Sequence, residues 1–414
     1  MNIQDQNNEL LRVFKTYPVL YEWMIQFHPF ELSTIEKYST RVDWGLLSSN
    51  KSIPWSLEFI KKYDEKFDWE YRMWANPNLP WSAEFISMNI KEHYGNAELC
   101  NNRGVPWSIE IFECLPERMI NKSWLAYKNP VTWTYEMFDY LNMWDQDLSS
   151  IRTDFMDANF LLEHKDKLNW GKLCSNPYLP WTEVLLEGLK PTFKKIEKSN
   201  AFHFYSTPYS SLSSNPALPW SLDFIKNNVK KPLRRYGFNW KDISVNKGIP
   251  WQEGILKEFH RKLDWTKFSR NNGACFTSDD LYQYTDYISW GPGDESFANE
   301  SIFLNTSVKW TDKIIDDHIN KVDWFSVSIN PTMPWSETFI DKHKDNLSIL
   351  GLKGNIGLPW SLNFILKYEQ EILQEMKYVD SEKAEVIWQK VFGNVMNKEM
   401  IERIFELTQD DKSF

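Results

Sequence analysis

Glycine is scarce, at 15 of 414 residues. That argues against a loop-built β architecture and against a glycine-rich phosphate loop. No apolar run approaches the roughly 18–20 residues that span a bilayer, so no membrane segment is expected. The opening residues, MNIQDQNNELLRVFK, are acidic and polar before they turn apolar, which is not the order of a signal peptide. The four cysteines, Cys100, Cys114, Cys174 and Cys275, are far apart and fit no CxxC spacing, as expected in a reducing compartment. HExxH and GxSxG are missing too. These absences point to a cytoplasmic, non-enzymatic protein with no cofactor and no metal. What the chain has in excess is aromatic side chains, with 22 Trp, 18 Tyr and 26 Phe, in a protein of net charge −10.

Comparing the chain with itself explains the excess, because a fixed period is the signature of a repeat architecture. NPNLPWSAEFI from Asn76, NPALPWSLDFI from Asn215, NPTMPWSETFI from Asn330 and NIGLPWSLNFI from Asn355 share one frame with NKSIPWSLEFI from Asn50. Each has a Trp five residues after Asn: Trp55, Trp81, Trp220, Trp335 and Trp360. A second aromatic follows fourteen residues after the first in Trp55/Trp69, Trp251/Trp265 and Trp310/Trp324; in the Trp335 unit this slot holds Ile349. The period is about 25 residues, and about thirteen units begin between Phe30 and Trp360.

Each unit predicts two helices. Ser56, Ser82, Ser108, Ser221, Ser336 and Ser361 sit where an N-cap belongs, with Thr134, Thr182, Thr277 and Thr311 in other copies. The preceding Trp is expected to staple onto the apolar N4 residue of a helix of roughly three turns. Asp43, Asp68, Ser123, Asn169, Asn239, Asp264, Ser289, Asp323 and Ser348 are expected to cap a shorter second helix. The recurring Asn is read as the stop of that helix, in the left-handed conformation that Asn tolerates. The resulting expectation is all-α: an α-solenoid with a helical cap at residues 1–29, a repeat region at 30–360 and a second cap at 361–414.

This pattern resembles uncharacterised Trp-rich tandem-repeat proteins of bacteria and large DNA viruses, in which W-x-x-L-S-x-N-P recurs. Here it reads DWGLLSSNKSIPWS, NWGKLCSNPYLPWT and SSLSSNPALPWS. The resemblance covers about residues 30–366 and implies the repeat, but no activity.

Most candidate chemistry is absorbed by the frame. His164, His318 and His343 occupy a position that is Tyr or Phe in other units, so they are read as packing residues rather than metal ligands. Cys100 and Cys174 occupy a small-residue slot that is otherwise serine. Of the off-frame tryptophans Trp23, Trp74, Trp144 and Trp388, Trp74 and Trp144 are expected to be exposed. An enzyme reading has only the irregular 133–156 region to draw on.

The frame fails most at 190–236, where insertions near 190–208 and 229–236 are expected on one edge. The bases there are Lys190, Lys194, Lys195, Lys198, Lys226, Lys230, Lys231, Arg234 and Arg235, against only Glu197 and Asp223. Phe202, Phe204 and Tyr205 lie within the first insertion, beside His203. One reading is a pair of solvated loops. The other is an anion-binding patch, made of these residues apart from Lys226, since specificity in repeat proteins sits in insertions. The expectation is a scaffold or adaptor for a protein partner. The alternative is nucleic-acid binding confined to this patch, which the overall acidity disfavours.

Overall fold

The computed structural model describes residues 3–93, 98–128, 131–199, 207–229, 238–291 and 300–407. Their regular structure is helical except for one two-residue parallel pairing, Thr132–Trp133 with Arg152–Thr153. The fold class is all-α. Two compact bodies are present: Met1–Val105 with Val327–Phe414, and Pro106–Ser326.

The first helix begins where the sequence predicts in the units with a Ser or Thr cap, whereas the Trp251 unit opens at Trp251 itself as a π-helical turn without a side-chain cap. Ser56, Ser82, Ser108, Ser221, Ser336 and Ser361 each accept the backbone N–H three residues on, and Thr134, Thr182, Thr277 and Thr311 do the same. Most of these helices are shorter than three turns: Leu57–Lys62 and Leu362–Lys367 have 6 residues and Leu222–Asn228 has 7, with Glu183–Ser199, of 17, the exception. The Trp ring meets the Phe at N3. Trp81/Phe85, Trp220/Phe224 and Trp335/Phe339 are edge-on, with centroids 5.3, 5.3 and 5.5 Å apart. The N4 residues Ile86 and Ile225 are fully buried beside them. Second-helix capping follows expectation at Asp43, Asn239 and Asp264. Asn169 and Ser348 stand at the N-cap without a side-chain cap bond, and at Ser123 Asn121 takes the role by accepting the Trp124 N–H.

The recurring Asn does end a helix, as at Asn215 and Asn305, but not in the left-handed conformation the sequence suggested, and it has a second job. Among the described residues the only non-glycine with positive φ is Asn142, which is off-frame. Asn215 is extended, at φ −74°, ψ 118°. The frame asparagines are instead buried, and each side-chain amide ties its unit to the one before. In the first body Asn76 donates to the carbonyls of Ser48 and Asn50, Asn102 to those of Trp74 and Asn76, and Asn355 to those of Ser328 and Asn330, at 2.7–3.1 Å. In the second body Asn215, Asn246 and Asn271 donate likewise to Cys174 and Asn176, to Ser213 and Asn215, and to Ser244 and Asn246, at 2.8–3.0 Å. Each Oδ1 accepts the N–H two residues on, as at Asn78, Gly248 and Gly357. In most units the Trp five residues on then donates its indole N–H to the Asn carbonyl, as Trp81 to Asn76, Trp220 to Asn215 and Trp360 to Asn355, whereas the Trp107 indole N–H is buried without this bond. Asn recurs because it both donates and accepts through one short side chain.

A second tie uses the small-residue slot. Ser48 and Ser244 donate to the carbonyl four residues back and accept the N–H of Asp68 and Asp264, twenty residues on.

Within the first body the two terminal helical segments cover each other. Phe405 of the Lys398–Leu407 helix stacks on Tyr38 at 4.6 Å and lies near Tyr21 and Phe30. Phe14 of the Ile3–Thr16 helix packs edge-on against Trp388 and Phe392 of the Ser381–Phe392 helix. Arg12 makes a bidentate pair with Glu369 at 2.9 and 2.6 Å, and Arg41 donates to the Phe405 carbonyl.

Candidate partner-binding face

The basic segment opens as helix rather than loop. Thr182 caps a helix, Glu183–Ser199, of 17 residues. Leu185, Leu189 and Phe193 recur at helical spacing and are all but fully buried, which fixes the inner face. Pro191 lies inside this helix and cannot donate a hydrogen bond to Glu187. Lys190 pairs with the Glu187 carboxylate. Lys194, Lys195 and Lys198 are exposed, and the spacing of four puts Lys190, Lys194 and Lys198 along one stripe.

The stripe borders a cleft of about 240 Å³. Its walls are Leu186, Phe193, Tyr209, Leu212 and Phe238, and Lys190, Lys194, Asn227 and Asn228 also line it. Tyr209 sits edge-on to Phe193 at 5.8 Å and to Phe238 at 5.7 Å. Asn228 ends the Leu222–Asn228 helix just before the second basic segment, so the described flanks of both insertions line one cleft. Phe202, Phe204, Tyr205, Lys230, Lys231, Arg234 and Arg235 lie outside the described residues.

No family model, curated protein or solved structure matches the chain.

The other candidates are packing residues. His318 is buried, stacks on Trp290 at 4.4 Å and hydrogen-bonds the Ile314 carbonyl through Nδ1. His164 packs against Phe160 and Trp144. Cys100 and Cys174 are buried, and none of the four cysteines forms a disulfide. No group of three or more His, Cys, Asp or Glu is placed to hold a metal among the described residues, and no helix there is long and apolar enough to cross a membrane.

Two tryptophans depart from expectation. Trp74 is completely buried, between Trp69 and Trp81. Trp144 is half-buried and does the work of a second-slot aromatic: it stacks on Phe160 at 5.9 Å with Lys167 over its face at 5.2 Å. The shift of three residues in the 133–156 unit hid that role from the spacing.

Proposed function

We propose that this chain is a non-catalytic α-solenoid of about thirteen units that acts as a scaffold or adaptor, binding an acidic protein surface through the basic face at 190–236. The repeat region is read as 30–360, between helical caps. The observation that carries the reading is the division of labour among polar side chains. The recurring Asn, Ser, Thr and Trp groups spend their hydrogen bonds on caps and on ties between units, whereas Lys194 stands exposed at the edge of an apolar cleft, with Lys195 and Lys198 exposed on the same helix. A charged rim around an apolar wall supplies steering and specificity together. The net charge of −10 supports a protein rather than a nucleic acid, because phosphate binding needs bases across the whole footprint. The four thiols suit a reducing, cytoplasmic setting.

Affinity purification from the native host, with and without nuclease and read by mass spectrometry, tests this. A stoichiometric acidic protein that survives nuclease is expected, and is lost when Lys230, Lys231, Arg234 and Arg235 are changed to Glu. Material that disappears with nuclease would instead establish nucleic-acid binding.

A further inference from the structure

The second-slot tryptophans follow one packing rule. Trp44, Trp240 and Trp290 lie 4.6, 5.0 and 4.4 Å from the ring at position nine of the next unit, counted from its first-slot Trp: Tyr63, Phe259 and His318. A lysine three residues beyond that ring covers each indole from outside: Lys66, Lys262 and Lys321, at 5.0, 5.6 and 5.0 Å. The indole N–H of Trp44, Trp265 and Trp290 donates to the carbonyl five residues back.

At residue 349 the frame is intact and the tryptophan is not there. Ser348 donates its N–H to Ser328 Oγ at 2.8 Å, as Asp264 does to Ser244 at 2.9 Å and Ser289 to Ser269 at 3.0 Å. The next residue is therefore the second slot, and it is Ile349, which is 46% exposed. Beside it is a cavity of about 290 Å³. Its lining includes Ile349, Phe364 and Tyr368, the N3 and position-nine rings that a second-slot Trp would meet. Lys344, whose carbonyl is the equivalent indole acceptor, lines it too. The covering lysine is replaced by Glu371, which joins Asp345 in the lining.

We infer that this cavity is a binding site for an indole ring bearing a positive charge. The ring takes the place of the missing tryptophan, its N–H faces the Lys344 carbonyl, and its cation meets Glu371 and Asp345. Such a volume lies at the low end for small-ligand sites, roughly 300 Å³. Aromatic stacking and charge–carboxylate attraction supply the affinity. The ligand is either a free indole-amine or a tryptophan beside a basic residue in a polypeptide. The inference rests on the tandem-unit frame but not on the basic face, so charge reversal at Lys194, Lys195 and Lys198 leaves it unaffected.

Fluorine NMR titration of the full chain with 5-fluorotryptamine, 5-fluoroindole and 5-fluoroindole-3-acetate tests it without interference from the protein's own tryptophans. Saturable binding is expected, with the amine about fivefold tighter than the acid, a difference of about 1 kcal/mol. An acetylated Lys-Trp-Lys peptide competing better than tryptamine would assign the ligand to a polypeptide, and the reverse order to a small molecule. Ile349→Trp is expected to fill the cavity, weaken binding at least about tenfold and leave Tm unchanged or higher. Glu371→Lys, an exposed change that restores the covering lysine, is expected to invert the amine-over-acid preference. Absence of saturable binding in the millimolar range, or unchanged affinity in both variants, would overturn the proposal.

Discussion

At the scale of the residue, the frame asparagine shows how a recurring polar group serves architecture rather than chemistry. Asn246 is fully buried, gives two hydrogen bonds to carbonyls of earlier residues and accepts one from Gly248. Asn246→Asp keeps the acceptor but sets a carboxylate oxygen against two carbonyls. Leaving buried groups unpaired costs about 1–3 kcal/mol each, and a buried charge costs more. Chemical denaturation is expected to show a loss of at least about 3 kcal/mol for Asn246→Asp and a smaller one for Asn246→Ala; equal stability of Asn246→Asp and wild type would remove the ladder's energetic role. His28 makes a second prediction. Burial pushes its imidazole down to about 4 from an ordinary 6.5. The folded protein therefore takes up the proton less readily than the unfolded chain does. The stability contribution is full above pH 6.5 and is lost as pH falls from there toward about 4, reaching about 3 kcal/mol. Between pH 7.5 and 4.5 wild type is expected to lose more stability than His28→Gln; parallel pH profiles would contradict this.

At the scale of the element, much was legible and the misses share a cause. Caps such as Ser82, Ser221 and Asp264 are local chemistry, decided within three residues, and they sit where the sequence placed them. The tie made by the recurring Asn is not legible locally, because the partners of Asn271, for example, are the carbonyls of Ser244 and Asn246, a whole unit away; the local rule gives the helix stop but wrongly adds a left-handed conformation. The role of Trp144 escapes a fixed offset because it is shifted by three residues. Extension of the Glu183–Ser199 helix through Pro191 also ran against a local rule, since its inner face of Leu185, Leu189 and Phe193 outweighs one lost hydrogen bond. The basic segment itself was legible from charge alone. The cover that the terminal helices give each other left no trace in the periodicity, because it joins residues more than 350 apart, Arg12 to Glu369 among them. Phe405→Ala is expected to destabilise by about 3–5 kcal/mol, the usual cost of a buried aromatic. Hydrogen exchange should then quicken in residues 3–27 as well as in 398–407. Loss of protection in 398–407 alone would show that the two segments do not stabilise each other.

At the scale of the whole molecule, a chain of net charge −10 concentrates basic residues in one segment and places a stripe of them beside a cleft walled by Phe193, Tyr209 and Phe238. Regular positions build, and the proposed binding roles fall to irregular ones, Ile349 in the first body and the Glu183–Ser199 helix in the second. The most direct test of the account is the triple variant Lys194→Glu, Lys195→Glu, Lys198→Glu, assayed for thermal stability and for co-purification of the nuclease-resistant partner. Solvated lysines contribute little to stability, so Tm should stay within about 2 °C of wild type while the partner is lost. Full retention of the partner, or a fall in Tm large enough to explain its loss, would contradict the account.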